Sequence, residues 1–160
     1  ASAMMTWIFF DRINGRKISG LGACIGAVVG LVAITPACGY VSIAESIFIG
    51  FISAIVSNMA VNWKKLKSVD DTLDVFACHG IGGIMGMILT AIFARGENAS
   101  LLHGGVGVFA HHMTALLLVS VFTFFGALVI YKITDFIIPL RVEETSEELG
   151  LDISQHNESI

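Results

Sequence analysis

Five histidines occur in this chain of 160 residues, at positions 79, 103, 111, 112 and 156, and His79 has a setting unlike the rest. It lies in the run Asp74-Val75-Phe76-Ala77-Cys78-His79-Gly80-Ile81-Gly82-Gly83. At ~1.5 Å of rise per residue it stands roughly 13 Å along a helix from Asp70. If that helix crosses a bilayer, His79 is near the middle of a hydrocarbon core about 30 Å thick. Ionisable groups at that depth are costly, and they face a pore or a bundle interior. Neutral imidazole offers one donor and one acceptor nitrogen, and its unperturbed pKa of about 6.5 suits it to pass a proton or hold a small hydrogen-bonding substrate. Burial disfavours the imidazolium, so a neutral ring is expected. On this residue alone a packing role, with the ring bonded to a neighbouring helix, stays open. Gly80, Gly82, Gly83 and Gly86 let another backbone come close. Val75, four residues earlier on the same helix face, could line the same passage.

Asp70, Asp71 and Asp74 open this segment. Carboxylates there accept from free backbone N–H groups and complement the positive end of the helix dipole; attraction of cations into a vestibule is the alternative role. His111 and His112 point about 100° apart on a helix, so the pair is not read as a metal site, and none is expected at His103 either. Cys24, Cys38 and Cys78 show no metal or redox spacing and read as small packing residues. No cofactor and no nucleic-acid partner is expected.

The elements that must hold these groups are helices in a membrane. Hydrophobic residues make up 55% of the chain and charged residues 14%, against about 25% charged in soluble domains, and the mean hydropathy is +0.82. Spanning helices, which need roughly 20 apolar residues, are predicted at about 18–37, 43–63, 70–93 and 106–136, with Ala1–Phe10 as the tail of a further helix. The fold class is therefore an all-α, multi-spanning bundle over residues 1–140, followed by an acidic tail at 141–160. Gly22, Gly26 and Gly30 form a flat stripe for close helix packing, Thr35-Pro36-Ala37-Cys38-Gly39 stops the first full span, and the pairs Ser53/Ser57 and Asn58/Asn62 read as interhelical hydrogen bonds. Basic residues gather at Arg12, Arg16 and Lys17, at Lys64, Lys65 and Lys67, and at Lys132 and Arg141, whereas the alternate loops carry only Arg95. By the positive-inside rule the former loops and the tail are cytoplasmic.

The ordered set Gly30-Leu31-Val32-Ala33-Ile34-Thr35-Pro36-Ala37, Asp70-Asp71 with Asp74-Val75-Phe76, His79-Gly80-Ile81-Gly82-Gly83, Leu140-Arg141-Val142 and Gly150-Leu151-Asp152 with His156 resembles the Amt/Mep/Rh ammonium transporter family, in its bacterial Amt branch. The resemblance implies a homotrimer of eleven-helix subunits with inverted halves, of which this chain is the carboxy-terminal part: the end of the seventh helix, four more spans and a cytoplasmic tail. It implies that His79 is the second of two paired pore histidines, the first lying upstream with the recruitment site and phenylalanine gate. It also implies a plasma-membrane location, ammonium or ammonia as substrate, and a PII-type protein as regulatory partner at the cytoplasmic face. Two segments depart from the pattern: His156-Asn157-Glu158 replaces the usual His-Gly-Glu, and Arg95–Gly105 matches loosely.

Moving a small cation unpaired into low dielectric costs, in the idealised limit, tens of kcal/mol, whereas ammonia is neutral. A channel gains by parting the proton from ammonia at a dry constriction, and facing imidazoles would fix each other's tautomers there. The alternative is a sensor of the same fold with little flux. An enzyme would need converging catalytic groups beyond a lone His79, and none is legible.

Overall fold

The computed structural model describes residues 1–66 (backbone alone for 64–66), 71, 73–96, 100–103 and 105–158. Among them all regular structure is helical, in two compact units, residues 1–117 and 118–160.

In the first unit, α1 (Ser2–Ile13), α2 (Gly20–Ile34) and α3 (Ile43–Leu66) pack on one another. A π-helical turn (Phe76–Ile81) runs directly into α4 (Gly82–Phe93), and both lie against α2 and α3. Sequence chemistry sets the helix ends. Ser19 caps α2 by accepting from Gly22 N at 3.0 Å. Pro36 turns the end of α2 into a 3-10 turn, Thr35–Ala37, and Gly39 leaves it at φ +86°, a conformation natural to glycine. Ser42 and Glu45 form a reciprocal capping box at α3: Ser42 N donates to Glu45 Oε2 at 2.6 Å and Glu45 N to Ser42 Oγ at 3.4 Å.

Lipid tails are as apolar as leucine, so close van der Waals packing holds these helices rather than exclusion of water. The closest approaches follow the glycines. A Cβ added to Gly26 would stand 2.6 Å from Trp7 Cβ, and one on Gly30 would stand 2.8 Å from Ala3 Cβ. Gly86 lies on the backbone of Ala33, where any Cβ would overlap the Ala33 carbonyl. Trp7, Val29, Ala54, Val61, Ala77 and Cys78 form one buried cluster; Ala33, Ala37, Ile49 and Leu89 form another.

The helix α5 (Val106–Ile137) has 32 residues, about 48 Å at ~1.5 Å per residue, and buries none of them. It ends just before Ile138-Pro139, because the residue before proline is pushed out of helical conformation. In the second unit two short helices follow, α6 (Glu144–Leu149) and α7 (Leu151–His156), which pack together through a turn at Gly150, φ +95°. Four helical stretches, Gly20–Ala37, Ile43–Trp63, Phe76–Phe93 and Val106–Ile137, are long and apolar enough to cross a membrane.

Candidate functional site

His79 is in the π-helical turn, which carries one more residue per turn than an α-helix would. Ala77 and Cys78 are buried, 1% and 4% exposed, against the first helices. His79 is exposed on the other side, with Val75 (50%) and Phe76 (64%) exposed before it. The turn is thus backed by small side chains and presents an imidazole among apolar neighbours. Gly80 lies under the Phe76 ring, whose nearest carbon would be 3.0 Å from a Cβ there.

The approach to this turn is irregular. Helical backbone begins at Val75, five residues later than the predicted start of the span. Asp74 sits at φ +53°, a left-handed conformation that non-glycine residues adopt mainly when they are Asn or Asp. The Asp71 carboxylate accepts from Val75 N and from Phe76 N, each at 2.9 Å, so it satisfies two free donors of the new helix. Asp70 lies outside the described residues. At the far end of the turn, Gly82 N donates back to the carbonyl of His79. Gly82 itself is buried where α2 and α3 meet: a Cβ on it would lie 3.6 Å from Ser57 Oγ, 3.6 Å from Val32 Cγ1 and 3.8 Å from Val29 Cγ1. Gly83 has more room, with Val32 Cγ1 nearest at 3.9 Å.

Gly22, Gly26 and Gly30 face α1: a Cβ on Gly22 would meet Ser19 Oγ at 3.1 Å and Trp7 Nε1 at 3.4 Å. The interhelical hydrogen bonds expected of Ser53 and Ser57 are not formed; both hydroxyls are buried and have no partner among the described residues.

Two polar clusters brace the bundle and were not read from sequence. In the first, Arg16 Nε is 2.9 Å from Asp11 Oδ1, an Arg16 terminal nitrogen donates to Asn58 Oδ1 at 2.7 Å, and Asn58 Nδ2 donates to Asp11 Oδ1 at 3.0 Å. Asn62 Nδ2 adds a bond to the Asn58 carbonyl at 2.7 Å. This closed ring ties the α1–α2 loop to α3 through the buried Asn58, 1% exposed. In the second, Arg95 grips Glu45 with Nε at 3.1 Å from both carboxylate oxygens and a terminal nitrogen at 2.7 Å, while its backbone N donates to Tyr40 O at 2.7 Å. These bonds raise the pKa of Arg95 above its ordinary value. The Ser42-x-x-Glu45 spacing was a legible signal for one half of that clamp. Ser100, fully buried, donates to Ile92 O at 2.7 Å and lies 3.3 Å from His103 Nδ1. His111 is exposed, and no three His, Cys, Asp or Glu side chains among the described residues come close enough to hold a metal ion.

This helical arrangement has counterparts among known proteins. An ammonium transporter of Bacillus subtilis is 40% identical over 164 residues, covering 99% of this chain and 41% of the relative. The ammonium transporter Amt1 of Archaeoglobus fulgidus is 37% identical, again over 99% of this chain and 41% of its own length. The crystal structure of Saccharomyces cerevisiae Mep2 superposes with a TM-score of 0.86 at 30% identity, over 97% of this chain and 37% of that one. A structure described as a sensor Amt protein superposes with a TM-score of 0.79 at 27% identity, over 96% of this chain and 38% of that one. The chain therefore spans about two fifths of the length of the relatives it matches. The sequence model of the Ammonium Transporter Family matches residues 1–160 without remainder, and on that match this chain belongs to the Ammonium Transporter Family.

Proposed function

We propose that the protein of which this chain forms part conducts ammonium or ammonia across a membrane, and that His79 lines the path. The observation carrying this reading is the exposed imidazole of His79 on a π-helical turn whose other face is buried at Ala77 and Cys78. A rigid element is spent on holding one ring nitrogen bearer in an apolar wall, with Val75 beside it. In such a wall an ammonium ion has lost its hydration, and transfer of its proton leaves neutral ammonia, which crosses low dielectric at far smaller cost. Imidazole can accept at one nitrogen and donate at the other, so it serves that exchange without a metal or cofactor. A facing histidine from the rest of the subunit completes the pair, and the wider reading includes a homotrimer in the plasma membrane, a cytoplasmic tail and a PII-type protein at the cytoplasmic mouth. Asp71 and Asp74 shape the start of the pore helix in this reading, with Asp70 beside them at the vestibule.

The test is His79→Ala in the full-length protein, with methylammonium uptake and membrane current recorded on the same preparation and normalised to protein in the membrane. Uptake falls at least tenfold, or its current-to-uptake ratio changes, while the oligomer stays assembled. Wild-type values for both would return His79 to a packing role. The likeness to a sensor Amt protein supports a second reading, in which the same path binds ammonium but carries little of it. Saturable ammonium binding by wild type with negligible uptake would select that reading.

A further inference from the structure

We infer that Phe76 is a specificity-determining residue, its ring forming the wall beside His79 that limits the size of what passes; this rests on the reading that His79 lines the conduction path. Residues four apart stand one above the other on a helix. Two columns therefore run side by side through the π-helical turn, Val75 with His79 and Phe76 with Gly80. Val75, Phe76 and His79 are exposed, while Ala77 and Cys78 behind them are buried. An ionisable side chain inside a membrane faces the bundle interior or a cavity rather than lipid. The face that presents His79 is thus turned away from lipid, and the adjoining column of Phe76 turns with it.

Gly80 fixes where that ring lies. The three atoms nearest a Cβ built on Gly80 are all ring carbons of Phe76, at 3.0, 3.3 and 3.7 Å. The phenyl edge takes the space that a side chain at 80 would fill, so the ring rests one position from His79 along the chain. The remainder of the ring is open, with Phe76 64% exposed. The exposed side of the turn is therefore a strip with an imidazole on one flank, a phenyl on the other and Val75 at its start. Hydrogen bonding to a ring nitrogen does not tell ammonium from methylammonium, since each carries N–H donors. An apolar wall does, because it leaves room for a hydrogen and crowds a methyl group. One methylene in an enclosed hydrophobic pocket is worth roughly 10–200-fold in discrimination, and a single partly exposed ring supplies the low end of that range or less.

The experiment measures initial fluxes of ammonium, methylammonium and ethylammonium per channel in the full-length protein. It compares wild type with Phe76→Ala, Phe76→Leu, Gly80→Ala and the Phe76→Ala, Gly80→Ala double variant. Phe76→Ala raises the methylammonium-to-ammonium flux ratio roughly three- to tenfold, and the ethylammonium ratio further. Phe76→Leu, intermediate in size, falls between wild type and Phe76→Ala, and it decides the matter if Phe76→Ala fails to insert. Gly80→Ala, whose methyl displaces the ring from its seat, changes the ratio where Phe76 is present and much less in the Phe76→Ala background. Wild-type flux ratios in both Phe76 variants overturn the assignment while leaving the role of His79 intact. Equal shifts from Gly80→Ala in the two backgrounds also overturn it, since residue 80 rather than the seated ring would then set the size limit. Wild-type uptake and current in His79→Ala is the separate failure of the conduction reading.

Discussion

Two elements close on α2, and they do so differently. α1 meets it as unbroken helix, with Trp7 and Ala3 seated on Gly26 and Gly30 of α2. The π-turn and α4 meet it with glycines of their own: Gly86 lies on the Ala33 backbone and Gly82 beside Val29 and Val32. The first seam is regular on both sides. The second begins with a left-handed aspartate at 74 and a π-helical turn, and there an imidazole is exposed. Departures from regular helix cost free energy, and they persist where the surroundings over-determine them. Here the surroundings are the buried Ala77 and Cys78, the Asp71 cap and the Gly82 junction. The regular seam holds the bundle together, and the irregular one aims a side chain.

That contrast is most sharply broken by filling the regular seam. Gly26→Val places its Cβ 2.6 Å from Trp7 Cβ and 3.1 Å from the Met4 Cα, so α1 must shift bodily. Overpacking of this kind costs about 1–3 kcal/mol or more, and the folded protein in the membrane should fall several-fold. Uptake per surviving channel should stay near wild type, because nothing at His79 has changed. Gly83→Ala is the matched control for stability, since among the described residues its Cβ meets Val32 Cγ1 at an ordinary 3.9 Å; its abundance should equal wild type. Quantitative immunoblots and normalised uptake decide both, and a Gly26→Val protein at normal abundance would mean that the α1 seam is not needed for assembly.

The irregular seam should answer in the opposite way. Asp71→Ala removes the acceptors of Val75 N and Phe76 N, and loss of such a cap costs about 0.5–2 kcal/mol. The loss falls on the turn that carries His79, so uptake per channel should drop further than abundance. Asp71→Asn, which keeps one acceptor oxygen, should recover part of it. An Asp71→Ala protein whose abundance falls while its uptake per channel is unchanged would reduce Asp71 to a stabilising cap.

The sequence made the regular seam far more legible than the irregular one. The glycine spacing at 22, 26 and 30, the Thr35-Pro36 stop and the apolar runs are local signals, and each has a local physical cause. The π-helical turn was not legible, because an inserted residue in Phe76-Ala77-Cys78-His79-Gly80-Ile81 leaves the apolar composition of the run unaltered. The bracing clusters escaped because their partners are remote in sequence: 42 residues separate Arg16 from Asn58, and 50 separate Glu45 from Arg95. Asn58 and Asn62 were expected to bond between helices; Asn58 does, to Asp11 and Arg16, whereas Asn62 bonds back to Asn58 one turn earlier. Ser53 and Ser57, read in the same way, have no such bond among the described residues.

The smallest effect is expected in the tail. Arg141 donates to Glu147 through Nε at 2.9 Å and through a terminal nitrogen at 3.0 Å, across the start of α6. These hydrogen bonds hold the Glu147 carboxyl below its ordinary value. A carboxyl depressed by folding contributes stability that is fully present above its unfolded pKa, about 4.3 for glutamate, and that is lost as pH falls through the lower folded value. The ordering of Glu144–Leu149 should therefore be constant from neutral pH down to about pH 5 and weaken below about pH 4, with no gain at alkaline pH. Both side chains are open to solvent, 83% and 38% exposed, so salt screens the pair and its contribution is slight. Amide exchange across Glu144–Leu149 in the full-length protein, compared with Glu147→Gln at several pH values, checks this. Protection in wild type should exceed that of the variant at neutral pH and converge with it in acid, while uptake per channel is equal in the two. Identical protection at every pH would show that the pair does not order the tail, and a large loss of uptake in Glu147→Gln would show that this single carboxylate does more in the tail than pair with Arg141.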